Sequence, residues 1–353
     1  MHSGLPSASP ACDDHLMRAA FIEELGPADA IVYGEIAAPR PGPVDVLVDV
    51  EAVSVNPVDT FVRSGAFRTP LRFPFVIGRD LVGTVVSAGP GAIGFAPGNK
   101  VWCNSLGHAG RQGAAAEQAV VAADRLYHLP SGVDPAQAVA AVHPAGTAYL
   151  ALFRHGRLRA GETVVVAGAA GNVGSALIVM AVEAGARVIA TARPADADYC
   201  ASLGAEAVLD YRDPRLREKT ARLCPAGVDV YVDTSGTNDL AGAVAVLGEH
   251  GRIVLLAGAR SRPVLPAGPL YMKGGSVVGF VISHASTAEL ADAARTINRL
   301  LAAGMLRPRF LEKAPLADAA RSHRRIEDGE LHGRRVVLLP ARQESSPTRG
   351  RSE

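Results

Sequence analysis

The stretch Thr163-Val164-Val165-Val166-Ala167-Gly168-Ala169-Ala170-Gly171-Asn172-Val173-Gly174 decides the fold of this chain. Its first five residues are an apolar, β-branched run of strand length. Glycine punctuates the next seven, and the Ala- and Val-rich residues that follow have the composition of a buried helix. Strand, glycine turn and helix in that order form a dinucleotide-binding fingerprint rather than a chance set of glycines. Gly171 lets the backbone approach a pyrophosphate. The helix start offers free N–H groups and the positive end of its dipole, and Gly174 permits close helix–strand packing. Ala169 stands where a first glycine is usual. A glycine-rich turn serving packing alone is the plainer reading, and the flanking strand and helix count against it.

Outward from this stretch, apolar strands are expected over 187–192, 207–209, 228–232, 252–257 and 276–282, with helices over 173–184, 195–203, 213–223 and 239–247 between most of them. Six strands with intervening helices read as an α/β, doubly wound parallel six-stranded sheet. Upstream, short apolar runs at 44–53, 81–88, 100–103 and 116–121, broken by Gly and Pro, mark a small β-rich unit. After residue 283 a helix over 288–303 and a strand over 335–339 return the chain to that unit. The expected organisation is a first domain over 18–140 and 284–340 and a nucleotide-binding domain over 141–283. A disordered leader over 1–17 and a mobile tail over 341–353 frame them.

Composition narrows the function classes. The 353 residues carry 36 Lys+Arg against 35 Asp+Glu, so no charge excess exists to hold a nucleic acid or an anionic membrane surface. Apolar stretches such as 173–182 stop well short of the ~20 residues of a membrane helix. The Ser/Pro-rich N-terminus with Asp13 and Asp14 lacks the basic start and apolar run of a signal peptide, so a cytoplasmic protein is expected. Cys12, Cys103, Cys200 and Cys224 are scattered, without a CxxC pair or a Cys/His cluster at zinc spacing.

The second strand of the sheet ends at Thr191-Ala192-Arg193, about 20 residues past the glycines, where an NAD site usually places an acid for the ribose hydroxyls. A guanidinium there suits a 2′-phosphate, which favours NADPH over NADH. The plainer alternative is a solvated loop charge, with Asp196 and Asp198 close by in sequence.

Taken together, Asn56-Pro57-Val58-Asp59-Thr60-Phe61 followed by Arg63-Ser64-Gly65, then Gly78-Arg79-Asp80, Gly146-Thr147-Ala148-Tyr149, Ala160-Gly161-Glu162, the glycine fingerprint and Asp210-Tyr211-Arg212 resemble the medium-chain dehydrogenase/reductase superfamily. Within it they resemble the zinc-independent, zeta-crystallin-like quinone oxidoreductases, over about 18–339. The resemblance implies a GroES-like catalytic domain, a Rossmann domain carrying NADPH, an active site in the cleft between them, and a homodimer built through the Rossmann sheet edge. Zinc members have an early cysteine and a Gly-His-Glu motif. Here those regions read Ser54-Val55-Asn56 and Gly78-Arg79-Asp80, and arginine cannot ligate zinc. The expected chemistry is therefore metal-free hydride donation to a quinone or an α,β-unsaturated carbonyl, with enoyl or alkenal reduction, or nucleotide binding without turnover, as alternatives.

By the same resemblance, Asn56 lies near the nicotinamide and substrate, or caps the turn before Pro57. Thr147 touches the cofactor, or caps a helix from Ala148. Ala170, Gly171, Asn172 and Val173 hold the pyrophosphate. Tyr211 packs near the adenosine 2′-phosphate, or is an exposed strand-end tyrosine. Gly258-Ala259-Arg260 and Phe280-Val281-Ile282, the latter on the sixth strand, flank the nicotinamide, and 280–282 also reads as core or dimer edge. Phe61 stands where many relatives have a tyrosine, so it supplies an apolar face and no proton. His143, beside Pro144, is either a proton donor in the cleft or structural.

Overall fold

The computed structural model describes residues 15–341. The expected leader lies outside the described residues as far as 14, with Leu16 and Met17 opening the first strand, and the expected tail lies outside them from 342. The chain begins with strands β1 (Leu16–Ile22), β2 (Val32–Ala37) and β3 (Asp45–Ser54), helix α1 (Pro57–Ser64), then β4 (Phe75–Val76), β5 (Asp80–Ala88), β6 (Lys100–Cys103), β7 (Gln118–Ala122) and β8 (Tyr127–His128). Every second residue of β3, Val46, Val48 and Val50, is buried, the alternation of a sheet with one face on a core. Helix α2 (Pro135–Tyr149) leads out of this unit.

The fingerprint forms β9 (Thr163–Ala167) and α3 (Asn172–Glu183). There follow β10 (Arg187–Ala192), α4 (Ala197–Ser202), β11 (Ala207–Asp210), α5 (Leu216–Leu223), β12 (Val228–Asp233), α6 (Leu240–Val246), β13 (Leu247–Leu255), α7 (Ala267–Met272) and β14 (Ser276–Gly279). The six strands are parallel in the order β11-β10-β9-β12-β13-β14. Their order reverses between β9 and β12, and the crevice at the carboxyl ends of those two strands is where such a sheet takes its ligand. Val164, Val165 and Val166 are buried on both faces, as a central parallel strand requires.

The chain then passes through α8 (Thr287–Ala302), β15 (Phe310–Pro315), α9 (Ala319–Glu327) and β16 (Arg334–Leu339). Strands β15 and β16 return to the first unit, whose main sheet runs β15-β16-β3-β5-β6-β8 with β7 on β3. Helix α8 packs on α2, and its Ala293, Ala294, Ile297 and Leu300 share the core of the parallel sheet.

Three local expectations are corrected. The sixth strand stops at Gly279, because its partner β13 ends at Leu255 and the last backbone bond is Phe280 N–H to Leu255 O, so Phe280, Val281 and Ile282 leave the sheet. Residue 247 begins β13 rather than ending a helix. Thr147 does not start a helix, since α2 begins at Pro135 behind the Asp134 cap, whose carboxylate accepts from Gln137 N–H at 2.8 Å. Pro144 sits inside α2 and has no N–H to give the carbonyl of Ala140. Arg335 fills that place, its Nε donating to Ala140 O at 2.9 Å.

Candidate active site

At the nucleotide end, Gly168 and Gly174 are fixed by contact. Gly168 has φ +78, and a Cβ there would lie 2.5 Å from Thr234 Oγ1; a Cβ on Gly174 would lie 2.3 Å from Gly168 O. Gly171 precedes α3 with no side-chain cap on the helix's first turn, which leaves those N–H groups to an anion. Ala170, Asn172 and Val173 flank it on this turn. Across the crevice, buried Asp233 accepts from Ser235 N–H (2.7 Å) and Asn238 N–H (3.0 Å), and Asn238 Nδ2 reaches Ala257 O and Ser261 Oγ. This brace shapes the Gly258-Ala259-Arg260 loop, with Ala259 and Arg260 exposed.

Arg193 and Tyr211 follow the paired strand ends Ala192 and Asp210, so the parallel register sets them side by side. The Arg193 side chain is 45% exposed and donates to Asp196 at 3.0 Å, while Tyr211 is exposed with the Arg212 guanidinium 5.6 Å over its ring. Asp196 also accepts from Arg309 at 2.7 Å. Burial pushes the Asp196 carboxyl up, but hydrogen bonds from Arg309 and Arg193 outweigh it and hold the group below its ordinary value. Arg212 joins this edge, its guanidinium beside Asp210 as well as over Tyr211.

A buried polar floor joins β3, β5, α2 and β16. Asp80, at the start of β5, accepts from Ser54 Oγ (2.7 Å) and Asn56 Nδ2 (2.8 Å) on one oxygen and from His143 Nδ1 (2.9 Å) on the other. Asn56 Oδ1 accepts from Arg335 at 2.8 Å, and Asn56 N–H donates to Asp59 Oδ2 at 2.8 Å, half of a capping box on α1. Thus the amide of Asn56, 1% exposed, is committed at both ends within the protein. Thr147 Oγ1 donates to His143 O, one turn back on α2. Burial pushes the Asp80 carboxyl up, but His143 and the hydrogen bonds from His143, Ser54 and Asn56 bring it below its usual value. Asp59 is the contrary case. Burial, reinforced by the Asp80 charge, raises it to about 6.

Other predicted residues lie at the edges of this floor. Phe61 is 44% exposed on α1 and takes no part in the floor's hydrogen bonds. Phe280 stacks on His155 at 4.4 Å, Val281 is exposed, and Ile282 is buried, its Cδ1 3.1 Å from where a Cβ on Gly146 would lie. Sequence reasoning missed Asp59, Asp80 and Arg335 as members of one network. Gly78-Arg79-Asp80 was a usable signal, but Arg335 reads as an ordinary strand residue. Among the described residues no group of three or more His, Cys, Asp or Glu side chains is arranged to hold a metal ion, and no helix is long and apolar enough to cross a membrane.

With the geometry established, comparison with known proteins gives a consistent result. Residues 42–131 match the alcohol dehydrogenase GroES-like domain, and residues 172–299 match the family described as zinc-binding dehydrogenase. The chain is 30% identical to a quinone oxidoreductase of Mus musculus over 334 residues, 93% of this chain and 99% of the relative. Among solved structures it is similar to mycobacterial Rv1454c complexed with NADPH (29% identity, TM-score 0.79, 92% of this chain and 100% of that one). It is also similar to an NAD-dependent alcohol dehydrogenase (30% identity, TM-score 0.81, 92% and 99%).

Proposed function

The chain belongs to the zinc-independent quinone oxidoreductase family of medium-chain dehydrogenases/reductases, and on that footing we propose that it transfers hydride from NADPH to a quinone or a conjugated carbonyl in the interdomain cleft. The family makes it an oxidoreductase that uses a pyridine nucleotide. The observation that carries the NADPH reading is the pairing of Arg193 and Tyr211 at adjacent strand ends, with a half-exposed guanidinium available to a 2′-phosphate. The residues fit the cofactor: the Gly168–Gly174 turn leaves backbone-only space at an uncapped helix start. Bound NADPH supplies the hydride. Gly171 and the first turn of α3 hold the pyrophosphate, Thr147 and the segments at Gly258–Arg260 and Phe280–Ile282 enclose the nicotinamide end, and Phe61 gives the acceptor an apolar face. Asn56, committed to Asp80 and Arg335, positions the floor.

Conjugated double-bond reduction is favoured as a second reading by His143. Its Nδ1 is held by Asp80, and among the described residues Nε2 has no hydrogen-bond partner. Nε2 is the atom of this ring that would pass a proton to a substrate carbanion or enolate, in place of the hydroxyl that Phe61 lacks. A homodimer is supported by β14, which among the described residues pairs only with β13, and by exposed Tyr271 (71%) and Met272 (74%) nearby on α7.

Steady-state oxidation of NADPH and NADH with 1,4-benzoquinone and with a 2-alkenal tests these statements. NADPH is expected to exceed NADH in kcat/KM by about tenfold or more. Equal use of both rejects the 2′-phosphate assignment, and turnover of the alkenal alone rejects the quinone. Tight NADPH binding with no acceptor reduced would make the protein a non-catalytic nucleotide binder.

A further inference from the structure

Among the described residues four arginines are buried: Arg63, Arg79, Arg252 and Arg335. A guanidinium carries five donors and does not give up its charge, so a buried one is normally saturated by oxygens. Arg63 donates to Gly26 O and pairs with Glu327. Arg252 reaches Gly156 O, Asp229 O, Arg157 O and Glu162. Arg335 reaches Ala140 O, Ser54 Oγ and Asn56 Oδ1. Arg79 is 4% exposed, yet among the described residues no oxygen accepts a hydrogen bond from its side chain and no carboxylate pairs with it; its buried Nε has no partner.

Arg79 lines a small cleft together with Asp59, Phe75 and Leu106, and Asp59 lies within electrostatic reach of Arg79, Asp80 and His143. Asp59 Oδ1, on the same cleft, is also buried without a partner. Apolar walls around an unsatisfied guanidinium describe a receptor for an oxygen anion, and a carboxylate matches its fork with two parallel hydrogen bonds. We propose that Arg79 binds a carboxylate on the acceptor and makes this enzyme selective for conjugated carbonyls or quinones that bear one. Asp59, raised to about 6 by burial, carries no charge against a second anion below that pH, so the preference is expected to be strongest there. The inference rests on the oxidoreductase reading above and names the substrate class of the same site.

The test compares trans-3-benzoylacrylate with its methyl ester, which present the same enone with and without the anion. The wild-type protein is expected to favour the carboxylate by about tenfold or more in kcat/KM. Arg79→Gln is expected to bring that ratio to about one, and Arg79→Lys, a point charge without the fork, to an intermediate value. A wild-type ratio at or below one, or a ratio unchanged in Arg79→Gln, overturns the proposal. If Arg79→Gln does not fold, an unchanged ratio in Arg79→Lys overturns it instead. If neither acceptor is reduced, the oxidoreductase assignment to enones fails separately, and calorimetric titration of benzoate into NADP⁺-loaded protein decides. Binding lost in either variant supports Arg79, and no binding to wild type overturns it.

Discussion

At the nucleotide end of the cleft, the shaping residues Gly168, Gly171 and Gly174 belong to one turn, and the charged groups Arg193 and Arg212 are exposed. The polar floor gathers Ser54, Asn56, Asp59, Asp80, His143 and Arg335 from segments up to 281 positions apart and buries them all. The first region leaves the backbone N–H groups at the start of α3 without a side-chain cap and holds its charges at a surface, Arg193 and Arg212 each beside an aspartate. The second region holds nearly every polar atom inside the protein, so its few uncommitted groups, Arg79, Asp59 Oδ1 and His143 Nε2, stand out. Perturbing the floor should therefore read out first in stability, and perturbing the nucleotide end first in binding.

The largest effect is expected from Asp80→Ala. It strands the donors of Ser54, Asn56 and His143 and leaves two buried arginines with less compensation. Removing one partner from a buried charged network costs about 3–5 kcal/mol. Urea unfolding should show that loss in the midpoint with little change in slope, and a loss below ~1 kcal/mol would mean that the floor is not a single coupled unit.

Next in size is a pH effect on the same floor. Asp59 binds its proton more tightly in the folded state, about 6 against an ordinary 3.8. Its stabilising contribution is full below about 3.8 and is lost as pH rises through about 6, up to about 3 kcal/mol. Asp80 acts in the opposite sense, its lowered value favouring the fold at higher pH. Asp59→Asn keeps an acceptor for Asn56 N–H and removes the ionisation, so it should exceed wild type in stability at pH 7.5 and converge with it near pH 4. Parallel stability curves for the two proteins would contradict the burial of an ionising Asp59.

At the nucleotide end, Arg193→Ala should leave stability nearly unchanged, because the side chain is 45% exposed and Asp196 keeps Arg309 as a partner. The expected change is in KM: a charge-assisted bond to the 2′-phosphate is worth about 1.5–3 kcal/mol, tens-fold for NADPH against no change for NADH. Equal losses for both nucleotides would remove the 2′-phosphate from this edge.

The contrast also explains what the sequence could disclose. The glycine turn and the strand-end Arg193 are read locally, because a parallel strand, its turn and the next helix are contiguous and each glycine answers to a nearby backbone atom. All six strands of the parallel sheet are visible as apolar runs, though the sixth run continues three residues past the strand, since only the end of β13 limits it. Helix α2 was obscured by Pro144, whose missing bond is supplied by Arg335 from the far end of the chain. No local pattern encodes that rescue, nor the meeting of Asp80 with His143 across 63 positions. Strands β2 and β15 escaped because they alternate weakly and lie at sheet edges.

The smallest effect, and the one that separates the two ends most finely, is expected from Phe61→Tyr. The ring is 44% exposed, so the added hydroxyl reaches water at either state of folding and should change stability by no more than about 0.5 kcal/mol. If His143, held by Asp80, already keeps the proton for a conjugated acceptor, a second donor on α1 is redundant and alkenal reduction should rise less than about threefold. A rise of tenfold or more in kcat with the alkenal, and none with benzoquinone, would instead mean that the floor supplies no proton. Protonation would then belong to the position Phe61 occupies, leaving the His143–Asp80 pair as a brace between α2 and β5.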